Sequence, residues 1–324
     1  MDQVFKLINS IKKSKNILLL AHVSPDGDTL GSMLALRAVL FQLKNIERAD
    51  VLIVGKVPDI YKFLPGVENI KNAADSDLYT SYDMAITLDC ASLDRLGETV
   101  DLFRNAKITA NIDHHVSNPN FADINIIDPQ ASACGQILYG LIQQLDAKIT
   151  KDIATCLYVS ILTDTGGFKF ENTKSQTLLT CSELLKYGVD SAFIYKECYE
   201  SKPYSMVMLH AHVIAQAVMT EDGKIIFASI TRKLLQNLNA TDDYVDGIAE
   251  TLRQINSVEV AIVFKETPKG NTKLSFRSNR VNVCDIAKYF GGGGHKLAAG
   301  CTIEKNITDS VSEIIPILRK QIYK

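Results

Sequence analysis

The chain has 324 residues, 46% of them apolar and 22% charged, with a net charge near −2. That composition is ordinary for a globular protein, and the length suits two domains. The near-neutral balance excludes an overall basic field for coating long nucleic acid, though not a small anion held by a few local charges. The seven cysteines are scattered and none forms C-x-x-C. They read as small buried hydrophobes in a reducing compartment, not as disulfides or a zinc cluster.

The chain opens on an amphipathic helical pattern, "MDQVFKLINSIKKSKN", without the continuous apolar core of a signal peptide. No apolar stretch approaches about 18 residues, so no membrane span is expected and the cytoplasm is the expected location. Then β-rich runs alternate with helical patterns. "NILLLAH" (16–22), "DVLIVG" (50–55), "DMAITLD" (83–89), "KITANID" (107–113) and "INIID" (124–128) read as strands. Segments 29–45, 132–146 and 151–164 read as helices. Strands apolar on both faces and separated by helices predict an α/β domain with a doubly wound, mainly parallel sheet. In such sheets ligands bind beyond the carboxyl ends of the strands. His22, Asp89 and the "DHH" at 113–115 all fall at predicted strand ends.

The pattern changes near residue 200. Segment 201–220 reads as a helix leading into a strand, and "EDGKIIFASI" as an Asp-Gly turn followed by a strand. Segments 259–266 and 273–279 read as a hairpin, and "VNVCDIAKYF" as a helix ending at the glycine run 291–294. A last helix follows, which Pro316 must kink or start. These elements predict a smaller C-terminal α/β domain with a mixed sheet. The expected division is a first domain over 1–195, a linker over 196–210 and a second domain over 211–324.

Four stretches carry hard ligands: "HVSPDGD" (22–28), "LDC" (88–90), "IDHH" (112–115) and "LTDTGGF" (162–168). They offer His22, Asp26, Asp28, Asp89, Asp113, His114, His115 and Asp164. Imidazole with carboxylate suits Mn²⁺, Fe²⁺ or Zn²⁺, or Mg²⁺ where oxygen dominates. One divalent ion takes about four to six ligands, so this set fits two ions sharing a carboxylate. Pro25 and Gly27 fix a turn from which Asp26 and Asp28 reach neighbouring ions, and Asp89 is the best-placed bridge. Two ions roughly 3.5–4 Å apart activate water and neutralise a phosphoryl oxygen. Any one aspartate here also reads as a helix N-cap; the ordered set of four motifs is what points to metal. Asp94 and Arg95 in "CASLDRLG" read either as a salt-linked turn or as Arg95 near a phosphate. His210 and His212 read as structural.

Downstream, "FGGGGHKLAAG" (290–300) removes side chains from four consecutive residues, so backbone N–H groups can approach an anion. His295 and Lys296 add donors, and Arg277 in "FRSN" offers a fork suited to phosphate. The run does not satisfy G-x-x-x-x-G-K-[ST], so it is not a P-loop.

The ordered set "HVSPDGD", "LDC", "DHH", "TDTGGF" and "GGGGHKLAAG" resembles the DHH phosphoesterase family with its C-terminal DHHA1 domain, over nearly the whole chain. The length is similar to the branch that acts on short oligoribonucleotides and on 3′-phosphoadenosine 5′-phosphate. The resemblance implies metal-dependent phosphoester hydrolysis with two divalent ions, Mn²⁺ foremost and Mg²⁺ or Co²⁺ as alternatives. It implies that His22, Asp26 and Asp89 hold one ion, and Asp28, Asp89, His114 and Asp164 the other. Asp113 would orient a ligand histidine, and His115 would contact the scissile phosphate. Arg277, Ser278, Gly291, Gly292, Gly293, Gly294 and His295 would bind the far end of the substrate. Short RNA and 3′-phosphoadenosine 5′-phosphate are the implied partners, no membrane is, and a homodimer is an assembly the resemblance leaves open. The competing readings are a phosphodiesterase for pApA or cyclic dinucleotides, a RecJ-like single-strand exonuclease, a family II pyrophosphatase, and a nucleotide-binding regulator with a dead metal site.

Overall fold

The computed structural model describes residues 3–73, 78, 81–145 and 147–323. Met1 and Asp2 of the expected first helix, and Asp146 at the end of the expected 132–146 helix, lie outside the described residues. The chain divides into two compact units, Met1–Ser201 and Lys202–Lys324.

The first unit is built on six strands: β1 (Asn16–Leu20), β2 (Arg48–Ile53), β3 (Ile70–Asn72), β4 (Met84–Leu88), β5 (Thr109–Asp113) and β6 (Ile124–Ile127). Their order is β3-β2-β1-β4-β5-β6, and every pairing is parallel. Around them run α1 (Gln3–Lys13), α2 (Gly27–Leu40), α3 (Val100–Arg104), α4 (Cys134–Ile142), α5 (Lys151–Asp164), α6 (Ser175–Leu185) and α7 (Ser191–Tyr195). Both sheet faces are covered. Ile17 and Leu19 of β1 join a core shared with α2, α4 and α5. Leu18 and Leu20, one residue out of phase, pack with Leu96 and Phe103 on the other face. The chain runs outward from β1 through β2 and β3, then restarts beside β1 at β4. The gap between the carboxyl ends of β1 and β4 is therefore the topological switch point, where such sheets bind ligands.

The five expected strands and the helix at 151–164 are present. β3 was not expected; three residues, "IKN", at a sheet edge carry too little pattern to stand out. α2 starts at Gly27, because the Asp26 carboxylate caps it by accepting from the N–H groups of Asp28 and Thr29. It stops at Leu40, short of the expected 45, where Gln42 instead bridges to both the N–H and the carbonyl of Lys148.

α2 and α5 pack closely because Gly31 presents no side chain. A Cβ there would lie 2.4 Å from the Cys156 carbonyl oxygen, which is fixed in α5. Gly135 of α4 serves similarly, with a Cβ position 2.1 Å from Ser160 Oγ. These approaches bring Ser160 beside Asp28.

The second unit holds β7 (Val218–Met219), β8 (Ile225–Ile230), β9 (Val260–Glu266), β10 (Thr272–Ser278), β11 (Gly293–His295) and β12 (Ala298–Ile303), in the order β11-β12-β10-β9-β8-β7. β8 and β9 pair in parallel and the rest antiparallel, giving a mixed sheet. Its helices are α8 (Tyr204–Ala215), α9 (Arg232–Asn237), α10 (Ile248–Arg253), α11 (Val283–Tyr289) and α12 (Ile307–Ile322). The expected hairpin is β9–β10. Pro316 lies inside α12 instead of starting it. Residues 196–210 hold a π-helical turn over 196–200 and the first half of α8. Among the described residues no helix is long and apolar enough to cross a membrane.

Gly31→Ala is expected to destabilise the first unit by about 1–3 kcal/mol or more, since a helix carbonyl cannot yield as a side chain can. The check is the urea midpoint at unchanged m-value.

Candidate metal centre

His22 follows β1, Asp89 follows β4, Asp113 ends β5 and Asp164 ends α5. The fold thus brings all eight expected ligand candidates to the carboxyl edge of one sheet. Three sets present ligand atoms that all lie within 4.8 Å of one another: His22, Asp26 and Asp89; Asp28, His114 and Asp164; and Asp89, Asp113, His114 and His115. Asp89 belongs to two of them and is 4% exposed. Its backbone has φ +55°, a left-handed conformation uncommon outside glycine and best tolerated by Asp and Asn. That turn aims Oδ2 toward His22 Nε2 at 3.5 Å and Oδ1 toward His114 Nε2 at 3.6 Å.

His114 Nε2 also stands 3.7 Å from Asp28 Oδ2 and 3.6 Å from Asp164 Oδ2. One imidazole nitrogen thus faces three carboxylates, the arrangement a cation completes. Asp28 is 1% exposed. Its Oδ1 accepts from Ser160 Oγ at 2.5 Å and Ser32 Oγ at 3.1 Å, and its Oδ2 from the Cys134 N–H at 2.8 Å. The Cys134 and Gly135 amides belong to the first turn of α4, where a carboxylate is favoured.

Asp113 is different. Its Oδ1 accepts from the His114 N–H at 2.8 Å and from His115 Nδ1 at 2.7 Å, and its Oδ2 from Asn118 Nδ2 at 2.6 Å. Both oxygens are engaged, which suits a group that orients histidine better than one that binds an ion. The ring it holds most directly is His115, whose side chain is 42% exposed.

The electrostatics follow from crowding. Burial pushes Asp28 well above the usual carboxylate range, and repulsion from Asp89 and Asp164 adds to it. Burial likewise lifts Asp164, to about 6. Burial alone would lift Asp89 too, but the close imidazoles of His114 and His22 and the hydrogen bond from Thr29 outweigh it and hold Asp89 far below the usual range. Burial opposes protonation of His114, yet its bond to Asp89 and the charges of Asp28 and Asp164 prevail and raise it to about 10. His115 is raised chiefly by Asp113. Buried carboxylates that resist ionisation around an imidazole that holds its proton form a donor set that a divalent cation would stabilise. Hard oxygen and imidazole donors in this mixture fit divalent Mn, Fe, Zn or Mg.

Sequence reasoning missed the groups that hold the ligands. Thr29 Oγ1 donates to Asp89 Oδ2 at 2.8 Å and lies 2.9 Å from His22 Nε2 and 3.2 Å from Asp26 Oδ1. Asn172 Nδ2 lies 3.1 Å from the Asp164 carbonyl, 3.3 Å from its carboxylate and 3.0 Å from the Ser132 carbonyl, while its buried Oδ1 has no partner among the described residues. Asn118 completes the group. The one usable signal was position: Thr29 follows "DGD" directly, in the first turn of α2.

The second unit assembles part of the other expected set. His295, Ala298 and Arg277 are in register across β11, β12 and β10, as are Gly293, Gly300 and Ser275. Cross-strand partners share a face, so Arg277, Ser275 and His295 surround a floor of Ala298, Gly300 and Gly293. Arg277 Nε is anchored by Glu250. Alternation along β10 puts Ser278 on the opposite face from Arg277. It is 2% exposed there and its hydroxyl has no partner among the described residues. The glycine run, expected to be a loop, enters strand β11 at Gly293. Gly291 and Gly294 have φ of +72° and +137°, and a Cβ at Gly292 would lie 2.2 Å from the Gly300 carbonyl oxygen. Gly293 alone of the four has neither restriction.

A doubly wound α/β unit with paired ligand sets at its switch point, followed by a mixed-sheet unit, defines a two-domain protein of metal-centre type. The chain belongs to the DHH family: residues 16–161 match the DHH family N-terminal domain and residues 222–324 match the DHHA1 domain. It is 31% identical to the bifunctional oligoribonuclease and PAP phosphatase NrnA of Thermus thermophilus, over 94% of this chain and 90% of that one. It is 27% identical to the protein of the same name from Bacillus subtilis, over 92% of each. A crystal structure of an exopolyphosphatase-related protein from Bacteroides fragilis superposes with a TM-score of 0.90 at 26% identity, covering 98% of this chain and 96% of that one.

Since His114 holds its proton to about 10, Asp28 is held well above the usual carboxylate range and Asp164 titrates near 6, Mn²⁺ uptake at pH 7.5 is expected to expel protons held by His114 and Asp28. Affinity is then expected to fall with decreasing pH, more steeply below about 6 as Asp164 also takes up a proton. Calorimetry in buffers of different ionisation enthalpy measures both.

Proposed function

We propose that this chain is a two-metal phosphoesterase that hydrolyses short oligoribonucleotides to mononucleotides and 3′-phosphoadenosine 5′-phosphate to AMP, with Mn²⁺ as the preferred ion. The observation that carries the chemistry is the pair of ligand sets, His22/Asp26/Asp89 and Asp28/His114/Asp164, with Asp89 between them. The substrate class follows the relatives of matching length, whose names carry both activities.

His22, Asp26 and Asp89 would hold one ion, and Asp28, Asp89, His114 and Asp164 the other. When bound, two such ions activate a water and neutralise the oxygens of a phosphoryl group. The protein's own groups do the rest. Asp113 fixes the His115 ring through Nδ1, leaving Nε2 as its remaining donor. Its raised affinity for a proton suits it to stabilise charge on the phosphate and to protonate the departing oxygen. Thr29 spaces His22 from Asp89, and Asn172 steadies Asp164.

In the second unit, Arg277, His295 and the glycine segment 291–294 are the proposed grip on the remainder of the substrate. The floor of Ala298, Gly300 and Gly293 lets a sugar or phosphate approach backbone closely. Ser278, grouped with them on sequence, contributes through its strand position, since its hydroxyl faces the core.

Asp89→Ala is expected to abolish Mn²⁺-dependent turnover of pApA with secondary structure intact by circular dichroism. Retained turnover refutes the shared-ligand assignment. A substrate panel tests the function as a whole: pApA, five- and 24-nucleotide RNAs, 3′-phosphoadenosine 5′-phosphate and cyclic di-AMP. Cleavage confined to cyclic di-AMP or favouring the 24-mer would overturn the reading. Gly293→Ala has open space in the folded chain, so it is expected to leave the thermal midpoint unchanged and raise KM for pApA several-fold. An unchanged KM removes the glycine segment from the substrate site.

A further inference from the structure

Arg95 has no role in the ligand sets, yet its guanidinium lies against one of them. Nη2 is 2.9 Å from His22 Nδ1. The segment is pinned there, because the Val23 N–H donates to the Arg95 carbonyl at 2.8 Å and the Arg95 N–H to the Ser92 carbonyl at 3.1 Å. The side chain is exposed, and among the described residues it forms no ion pair. Asp94, the neighbour that the sequence offers as a salt-link partner, is held low first by Ser92 and its own backbone, with the Arg95 charge a smaller contribution.

The contact with His22 does not satisfy the arginine. His22 Nδ1 is also 2.7 Å from the Val23 carbonyl, which can only accept. Nδ1 therefore carries the hydrogen, as it must if Nε2 faces Asp89 and a cation. With no lone pair left on Nδ1, Arg95 presents a donor to a donor. An exposed guanidinium that forms no ion pair among the described residues, carried on a backbone pinned beside His22, is free to meet an acceptor from outside the chain. Its planar fork matches two oxygens of a phosphate.

We propose that Arg95 clamps a phosphate of the substrate at the mouth of the metal centre, acting on binding and not on metal retention. The inference rests on the phosphoester reading above and adds a residue to it. Lysine cannot reproduce the fork, so Arg95→Lys and Arg95→Ala are both informative.

The test uses the full chain loaded with Mn²⁺. For Arg95→Ala, KM for pApA is expected to rise about tenfold or more with kcat within about threefold, and Arg95→Lys to recover only part of it. Mn²⁺ affinity, followed by electron paramagnetic resonance, should be unchanged in both. Loss of Mn²⁺ affinity with KM preserved would overturn the proposal and make Arg95 a positioning residue for His22. An unchanged KM would overturn it outright. AMP binding by calorimetry separates the two layers: a wild type inert toward pApA defeats the oligoribonucleotide reading, while AMP affinity that falls about tenfold in Arg95→Ala still supports the clamp. AMP affinity equal in both proteins defeats the clamp.

Discussion

Five carboxylates and three imidazoles meet at the carboxyl edge of one parallel sheet, and most of the first unit can be understood as the means of holding them there. Like charges a few ångströms apart in a low-dielectric setting repel strongly. The fold offsets part of this with local dipoles. Asp26 caps α2, Asp28 lies at the N-terminus of α4, and Ser32, Ser160, Thr29 and Asn118 each donate to a carboxylate. The offset is incomplete, because Asp28 and Asp164 still resist ionisation. Only added positive charge resolves the rest, so the structural strain and the chemical capacity of the site have one origin.

Close helix packing serves the same end. Gly31 and Gly135 let α2, α4 and α5 approach until Ser160 reaches Asp28. Asp89 takes a left-handed conformation just past β4, directing its two oxygens toward different histidines. Strain of that kind persists only where its surroundings over-determine it, and here the Thr29 hydrogen bond and the two facing imidazoles, His22 and His114, do so. The second unit follows the opposite logic. Its half-buried floor is made of small residues, and a charge stands beside it in Arg277, held by Glu250. One unit concentrates charge and the other removes bulk.

The sequence made the candidate ligands legible because strand-terminal Asp and His are few and chemically loud. Each motif fell where an apolar run ended, and parallel topology turned that coincidence into a place. The supporting groups were silent. A threonine in a first helical turn or an asparagine after "GGFKFE" has many ordinary uses, and only coordinates reveal what Thr29 and Asn172 touch. β3 was invisible because three residues have no period. Ser278 and Arg277 are adjacent in sequence but face opposite sides of β10, which the run "FRSN" alone does not show. The glycine run was read as a ligand loop, whereas Gly291, Gly292 and Gly294 are also required by backbone angle and strand approach. A structural need and a binding role produce the same letters, and Gly293 is where they separate.

The charge distribution also orders events. Without cations the cluster carries five carboxylates against three imidazoles, a field that repels any phosphate ester. Near-neutral net charge across the chain offers no compensating attraction at a distance. On the proposed reading, substrate binding at this edge depends on prior metal loading, and Arg95 at the rim gains its full value only then. Cations held there would act with Arg95 on one phosphate, as proposed, and the low dielectric that makes crowded carboxylates costly would strengthen the attraction. The proposed short substrate suits such a centre because few phosphates need to be matched.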